Sequence, residues 1–247
     1  QMCIRDSIKP GTKGETVYIP ACVTHAGFDD LVYNDFFVGE GADVIIEAGC
    51  GVHSDGEEEA RHNGIHRFIL EKNAHVVYKE KHIANGAGSG AKKIDPVTDA
   101  ELAEGAYLEM DTVQLGGVTT TTRKTRAVLQ KNARLVVRER IMTNGDEFAR
   151  TDFVVRLEGE GSAADLVSRS VARGNSRQEF ASILAKALPD AALPAVNTVA
   201  NGAIPDVYRS DTGIYKLYRA GILAGSDSKG TFRPNAAITR AEVAAVL

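Results

Sequence analysis

Five side chains capable of ligand or acid–base chemistry recur at fixed distances from a short repeated signal. Cys50, His82 and Gln114 each lie nine residues after a Gly or Asn, at positions 41, 73 and 105, while Glu80 and Glu139 lie seven residues after Asn73 and Asn132. Thiolate, imidazole and carboxylate are all competent ligands for iron or zinc. If the chain stacks on itself with this period, equal offsets place these groups in one internal column. Cys50, His82 and Glu80 are then a candidate metal set. The alternative is a hydrogen-bonded structural ladder, because buried Glu and His need partners in either case.

The elements that must position this column follow from the repeat. The motif Glu40-Gly41-Ala42 recurs as Lys72-Asn73-Ala74, Glu104-Gly105-Ala106, Lys131-Asn132-Ala133 and Glu160-Gly161-Ser162, with spacings of 32, 32, 27 and 29 residues. Gly and Asn adopt positive φ most readily, so each copy reads as a sharp turn. Apolar residues then alternate with charged ones: Ala42, Val44, Ile46; Ala74, Val76, Tyr78; Ala106, Leu108, Met110; Ala133, Leu135, Val137. This period of two predicts strands with an apolar inward face. Strand pairs recurring every 27 to 32 residues, with no long amphipathic helix between them, predict a β-solenoid. A β-sandwich with coincidental turn spacing is the alternative.

Other motifs are weaker. His62-Asn63-Gly64-Ile65-His66 spaces two histidines as a zinc-binding helix does, but Gly64 weakens a helix and the Glu after the first His is missing, so a loop entering a strand is expected. Gly86-Ala87-Gly88-Ser89-Gly90-Ala91-Lys92-Lys93 departs from phosphate-loop spacing and reads as an exposed flexible loop. Arg123, Lys124, Arg126, Lys131, Arg134, Arg138 and Arg140 read as a solvated strand face. The net charge of -4 gives no nucleic-acid footprint. No apolar run is long enough to span a membrane, and Gln1 to Ser7 lack the apolar stretch of a signal peptide. Three scattered cysteines do not make a disulfide framework.

Several of these motifs, in order, resemble the SufB/SufD family of iron–sulfur cluster assembly proteins. They are Gly64-Ile65-His66-Arg67-Phe68, the run Lys72 to His82, Glu109-Met110-Asp111-Thr112-Val113-Gln114, Arg138-Glu139-Arg140 and Ser168-Arg169-Ser170-Val171-Ala172. The resemblance covers about 18–180 and implies a right-handed parallel β-helix. It also implies a non-enzymatic scaffold in the cytoplasm that holds an iron–sulfur cluster transiently, with a SufC-type ATPase and a SufB/SufD paralogue as partners. Residues matching the family's later Cys/His-bearing coils and helical SufC-binding end do not follow here. Leu129 stands where SufB members carry a cysteine, which favours a SufD-like member. A polysaccharide-acting β-helix enzyme would share the fold, but no outward carboxylate cluster supports it.

From Ser176 the period becomes helical. Phe180, Ile183, Leu184 and Leu188 form one stripe ending at Pro189, and Ile214, Leu217 and Tyr218 a second ending at Gly221. Thr239 and Glu242 fit a capping box opening a last helix. Leu217 to Ile222, Gly230-Thr231-Phe232-Arg233-Pro234 and Ile238 to Glu242 resemble an S-layer homology repeat, and Ser176 to Leu184 parallels Thr239 to Leu247 as the closing helix of a preceding copy. The resemblance implies binding of a cell-wall polymer, with Arg240 as the contact residue, at the cell surface. The expected organisation is an unstructured or artefactual segment 1–17, a mainly β solenoid core over 18–180 and a small α-helical module over 181–247. Gln1 to Ser7 resemble translated sequencing adapter, and cytoplasmic and cell-surface implications in one chain are most simply explained by a chimeric reading frame joined near Arg177 to Phe180, with a true fusion as runner-up.

Overall fold

In a computed structural model that describes residues 2–174, 176–239 and 242–243, the chain forms two compact units, Gln1–Val171 and Ala172–Leu247. The first is a solenoid of six coils, each made of one strand from each of two parallel sheets. The coils pair β1 (Met2–Ile8) with β2 (Lys13–Val23), β3 (Asp29–Val38) with β4 (Asp43–His53), and β5 (Ala60–Leu70) with β6 (His75–Asn85). They continue with β7 (Lys92–Ile94) and β8 (Val97–Leu102) leading to β9 (Tyr107–Gln114), β10 (Thr120–Leu129) to β11 (Arg134–Asn144), and β12 (Phe148–Leu157) to β13 (Ala163–Arg173). One sheet runs β1-β3-β5-β7/β8-β10-β12, the other β2-β4-β6-β9-β11-β13. The break between β7 and β8 falls at Pro96, which cannot donate to the ladder. The Asp95 carboxylate accepts the Thr122 N–H beside it at 2.8 Å.

All five expected turn residues have positive φ: Gly41 at 63°, Asn73 at 54°, Gly105 at 70°, Asn132 at 56° and Gly161 at 71°. Gly11, at 70°, is a sixth that the motif search missed. The amides stack from coil to coil: Gly11 N donates to Glu40 O, Gly41 N to Lys72 O, Asn73 N to Glu104 O, Gly105 N to Lys131 O and Asn132 N to Glu160 O, all at 2.8–3.0 Å. Gly105 is required twice over, since a Cβ there would also lie 2.3 Å from Asn73 Oδ1.

Met2–Ile8, set aside as unstructured, is instead the first strand, in register with β3 from Met2↔Val32 to Ile8↔Val38. A parallel neighbour offers partners to the backbone groups of alternate residues whatever the side chains are. The core lies between the sheets. Val44, Ile46, Val76, Tyr78, Leu108, Leu135 and Val137 face Phe36, Phe68 and a column of Val38, Leu70, Leu102 and Leu129. The Phe36 and Phe68 rings stack at 4.8 Å.

The second unit contains α1 (Arg177–Ala187) and α2 (Thr212–Arg219). Ser176 and Glu179 form a full capping box on α1. Ala181, Leu184 and Ala185 pack with Ile204, Val207, Ile214, Tyr215, Leu217, Tyr218 and Phe232 in a separate core. Ile183, expected in the apolar stripe, is 56% exposed, because the buried face of α1 runs through the small Ala181 and Ala185. The boundary expected at 180–181 falls earlier, at Val171/Ala172. Arg177 N donates to Ala236 O and Gln178 N to Pro234 O, tying the start of α1 to the C-terminal segment. The Thr239–Glu242 capping box is present, and Arg240 lies outside the described residues.

Candidate functional site: a buried polar centre inside the solenoid

Parallel register delivers the column anticipated from the offsets. Cys50 aligns with His82 and His82 with Gln114, while Glu80 and Glu139 flank Thr112 on the neighbouring inward row. All six are buried. The ligand atoms of Cys50, Glu80 and His82 lie within 4.8 Å of one another.

Glu80 is the hub. Its Oε1 accepts the Tyr78 hydroxyl at 2.9 Å and lies 3.1 Å from His82 Nε2 and 3.9 Å from Cys50 Sγ. His66 Nε2 stands 3.3 Å from the same oxygen, outside hydrogen-bond alignment, while His66 Nδ1 meets Asn34 Nδ2 at 3.1 Å. Arg123 closes the network. Its Nη1 is 2.7 Å from His82 Nδ1, its Nη2 3.7 Å from Glu80 Oε2 and its Nε 2.8 Å from Glu139 Oε2. Thr151 and Ser168 hydroxyls donate to Glu139 Oε1 at 2.8 and 2.7 Å.

Burial pushes the Glu80 carboxyl upward, but the His82 and His66 imidazoles facing it outweigh burial and hold it well below the usual carboxylate range. Burial is also the largest influence on His82, which it lowers against the opposing pull of Glu80. The Cys50 thiol and the Tyr78 phenol are pushed well up, first by burial and then by the Glu80 charge. The centre therefore favours the Glu80 carboxylate and holds the thiol and phenol beside it in their protonated forms. Beside it is a cavity of about 10 Å³, lined by Glu80, Thr112, Arg123 and Glu139 among others, which is the room a single water needs. Thr112 Oγ1 and both amide atoms of Gln114 have no protein partner among the described residues.

Reading forward from each turn found Cys50, Glu80, His82, Gln114 and Glu139 but missed Asn34, His66 and Arg123. Those three belong to the facing sheet, whose strands end at the turn. Counting backward exposes two of them: Asn34, His66, Thr98 and Thr125 each precede their turn residue by seven and align in one row, whereas Arg123 precedes Asn132 by nine, on the same inward parity. Arg123 corrects the reading of its basic run as a solvated face. It shares inward parity with Thr121, Thr125 and Ala127, and is 5% exposed. The outward members of the run that make ion pairs do so across strands, Arg126 with Asp99, Arg138 with Asp165 and Arg140 with Asp111.

His62 and His66 both point inward from β5. Four residues along a strand separate them by about 13 Å, so they cannot share an ion as they would on a helix. His62 instead meets Asp30 at 2.9 Å. The glycine-rich stretch from Gly86 is not a free loop. Gly88 N donates to Ser54 O and Gly90 N to Gly56 O, and a Cβ on Gly88 would lie 2.2 Å from Gly56 O.

These features define a two-sheeted parallel β-solenoid with a closed polar interior. The family model for the SUF system FeS cluster assembly SufBD core domain matches residues 36–192, more than half of the chain, and the chain belongs to that family. The model for the S-layer homology domain matches residues 203–244. No curated protein and no solved structure matches the chain.

Proposed function

We propose that the chain is a scaffold component of SUF iron–sulfur cluster assembly, SufD-like rather than SufB-like, acting in the cytoplasm with a SufC-type ATPase and a SufB/SufD paralogue. The observation that carries this reading is the SufBD core match, which runs from the end of β3 through β13 and on through α1. Leu129 supports the SufD-like assignment. It is fully buried in the Val38–Leu70–Leu102–Leu129 column, where it serves packing and offers no thiol. In this reading the chain has no catalysis of its own, and the cluster is cargo held transiently in the complex. Co-expression with a SufC-type ATPase and a SufB paralogue, followed by affinity capture of this chain, should co-purify both. Capture of neither, under conditions where an authentic SufB–SufC–SufD set associates, would overturn it.

A second reading is favoured by one specific observation, the S-layer homology match over 203–244. It assigns cell-wall polymer binding to the C-terminal unit, with Arg240 as the contact residue. Sedimentation with purified cell wall tests it: the chain should pellet, and loss of pelleting in Arg240→Ala is expected. A chain that stays in the supernatant would exclude this reading. No helix among the described residues is long and apolar enough to cross a membrane.

A further inference from the structure

Cys50, Glu80 and His82 have the residue types and spacing of a divalent-metal site, yet the hydrogen bonding around them is wrong for one. The reason is Arg123. Guanidinium nitrogens donate and never accept. With Arg123 Nη1 2.7 Å from His82 Nδ1, that nitrogen must be the acceptor, so the neutral ring keeps its proton on Nε2. The protonated Nε2 lies 3.1 Å from Glu80 Oε1. With Nδ1 engaged by Arg123, Nε2 is the nitrogen left to a metal, and its lone pair is occupied by hydrogen. Freeing it without moving Arg123 would require an imidazolate.

Glu80 is committed in the same way. Oε1 already accepts the Tyr78 hydroxyl and the Cys50 S–H, two donors for the two lone pairs of a carboxylate oxygen. A metal ligated by His normally finds the other ring nitrogen donating to a carbonyl or carboxylate. Here that nitrogen faces a cation. The guanidinium is firmly held, by Glu139 at 2.8 Å, and Glu139 is itself fixed by Thr151 and Ser168.

We propose that Arg123 keeps the Cys50–Glu80–His82 triad closed to divalent metals by occupying, as a fixed cation, the charge-compensating role a metal would take, so that the triad binds a metal only once the guanidinium is removed. The inference holds whether or not the chain serves in cluster assembly. Its chemical content is an exchange. Losing Arg123 lets the His82 proton move to Nδ1, frees the Nε2 lone pair, and leaves the Glu80 carboxylate and, after release of its proton to solvent, the Cys50 thiolate to balance an incoming M²⁺.

The test uses the full chain refolded in the presence of Co²⁺, so that burial does not bar entry, then passed through gel filtration. Wild type should retain no cobalt and show no thiolate-to-cobalt absorption. The paired variant Arg123→Gln/Glu139→Gln, which removes the cation together with one carboxylate, should retain cobalt stoichiometrically with thiolate bands. Those bands should vanish on adding Cys50→Ser, while Cys3 and Cys22 remain. Wild-type protein that shows Cys50-dependent bands overturns the proposal, as does a folded paired variant that takes no cobalt. Should the paired variant not fold, ¹⁵N correlation of the wild-type His82 ring decides the matter. A proton on Nε2 with Nδ1 bare is expected, and a proton on Nδ1 overturns the proposal.

Discussion

The solenoid and the helical unit are held together by different means. In the solenoid the strand ladders join residues one coil apart, 27 to 32 positions distant in sequence, and a connected charge network lies in the interior. In the helical unit Glu179 closes the box on Ser176 and Glu242 the box on Thr239, and no charged side chain among the described residues of this unit is buried. What the loss of a charge costs depends on where it sits. A buried network is all or nothing, because removing one member leaves the rest desolvated and unpaired. A capping carboxylate is one local hydrogen-bonding group, and its loss is shared with water.

This contrast can be broken or sharpened by experiment. The largest effect is expected from Arg123→Met, which strands Glu80 and Glu139 as buried anions and should cost about 3–5 kcal/mol, read by urea denaturation from the strand signal. Adding Glu139→Gln should recover part of that loss. A result within error of wild type would mean that the interior is wet rather than closed. Gly105→Ala should cost about 1–2 kcal/mol from the left-handed conformation alone, and more if Asn73 Oδ1 cannot withdraw. Asn73→Gly should be tolerated far better.

In the helical unit, Ser176→Ala should cost about 1 kcal/mol, read from the helical signal and leaving the strand signal unchanged. The pH dependence of the same caps can be signed. Glu179 and Glu242 are lowered chiefly by hydrogen bonds from the backbone N–H of Ser176 and Thr239. A depressed carboxylate stabilises the fold above its unfolded value, near 4.3, and that contribution disappears as the pH falls through the lower folded value. The helical signal should therefore weaken modestly on acidification below about pH 4, and Glu179→Gln should flatten that response. The smallest effect is expected for Lys72→Met. Its 3.1 Å pair with Glu104 is half-exposed on the turn column, and about 0–1 kcal/mol is the usual range for such pairs.

The sequence by itself determined the repeat. Five positive-φ turns, the inward parity that follows each of them, and the stacking of Cys50, His82 and Gln114 are all consequences of local backbone preference and a period of two, which a linear chain records. It also recorded α1 and α2 through their apolar stripes and the Pro189 and Gly221 that end them. It did not record which residues of the facing sheet meet the column. Asn34, His66 and Arg123 lie on strands that approach each turn from the other side, and their partners are chosen by the distance between the sheets rather than by spacing along the chain. Nor did composition show that Met2–Ile8 would pair, since a parallel neighbour supplies backbone partners to almost any sequence. The protonation of the polar centre is likewise tertiary. An arginine in a basic run looks solvated until folding places its guanidinium against His82 and Glu139, and only then does a Cys–His–Glu triad acquire a cation that takes the place of a metal.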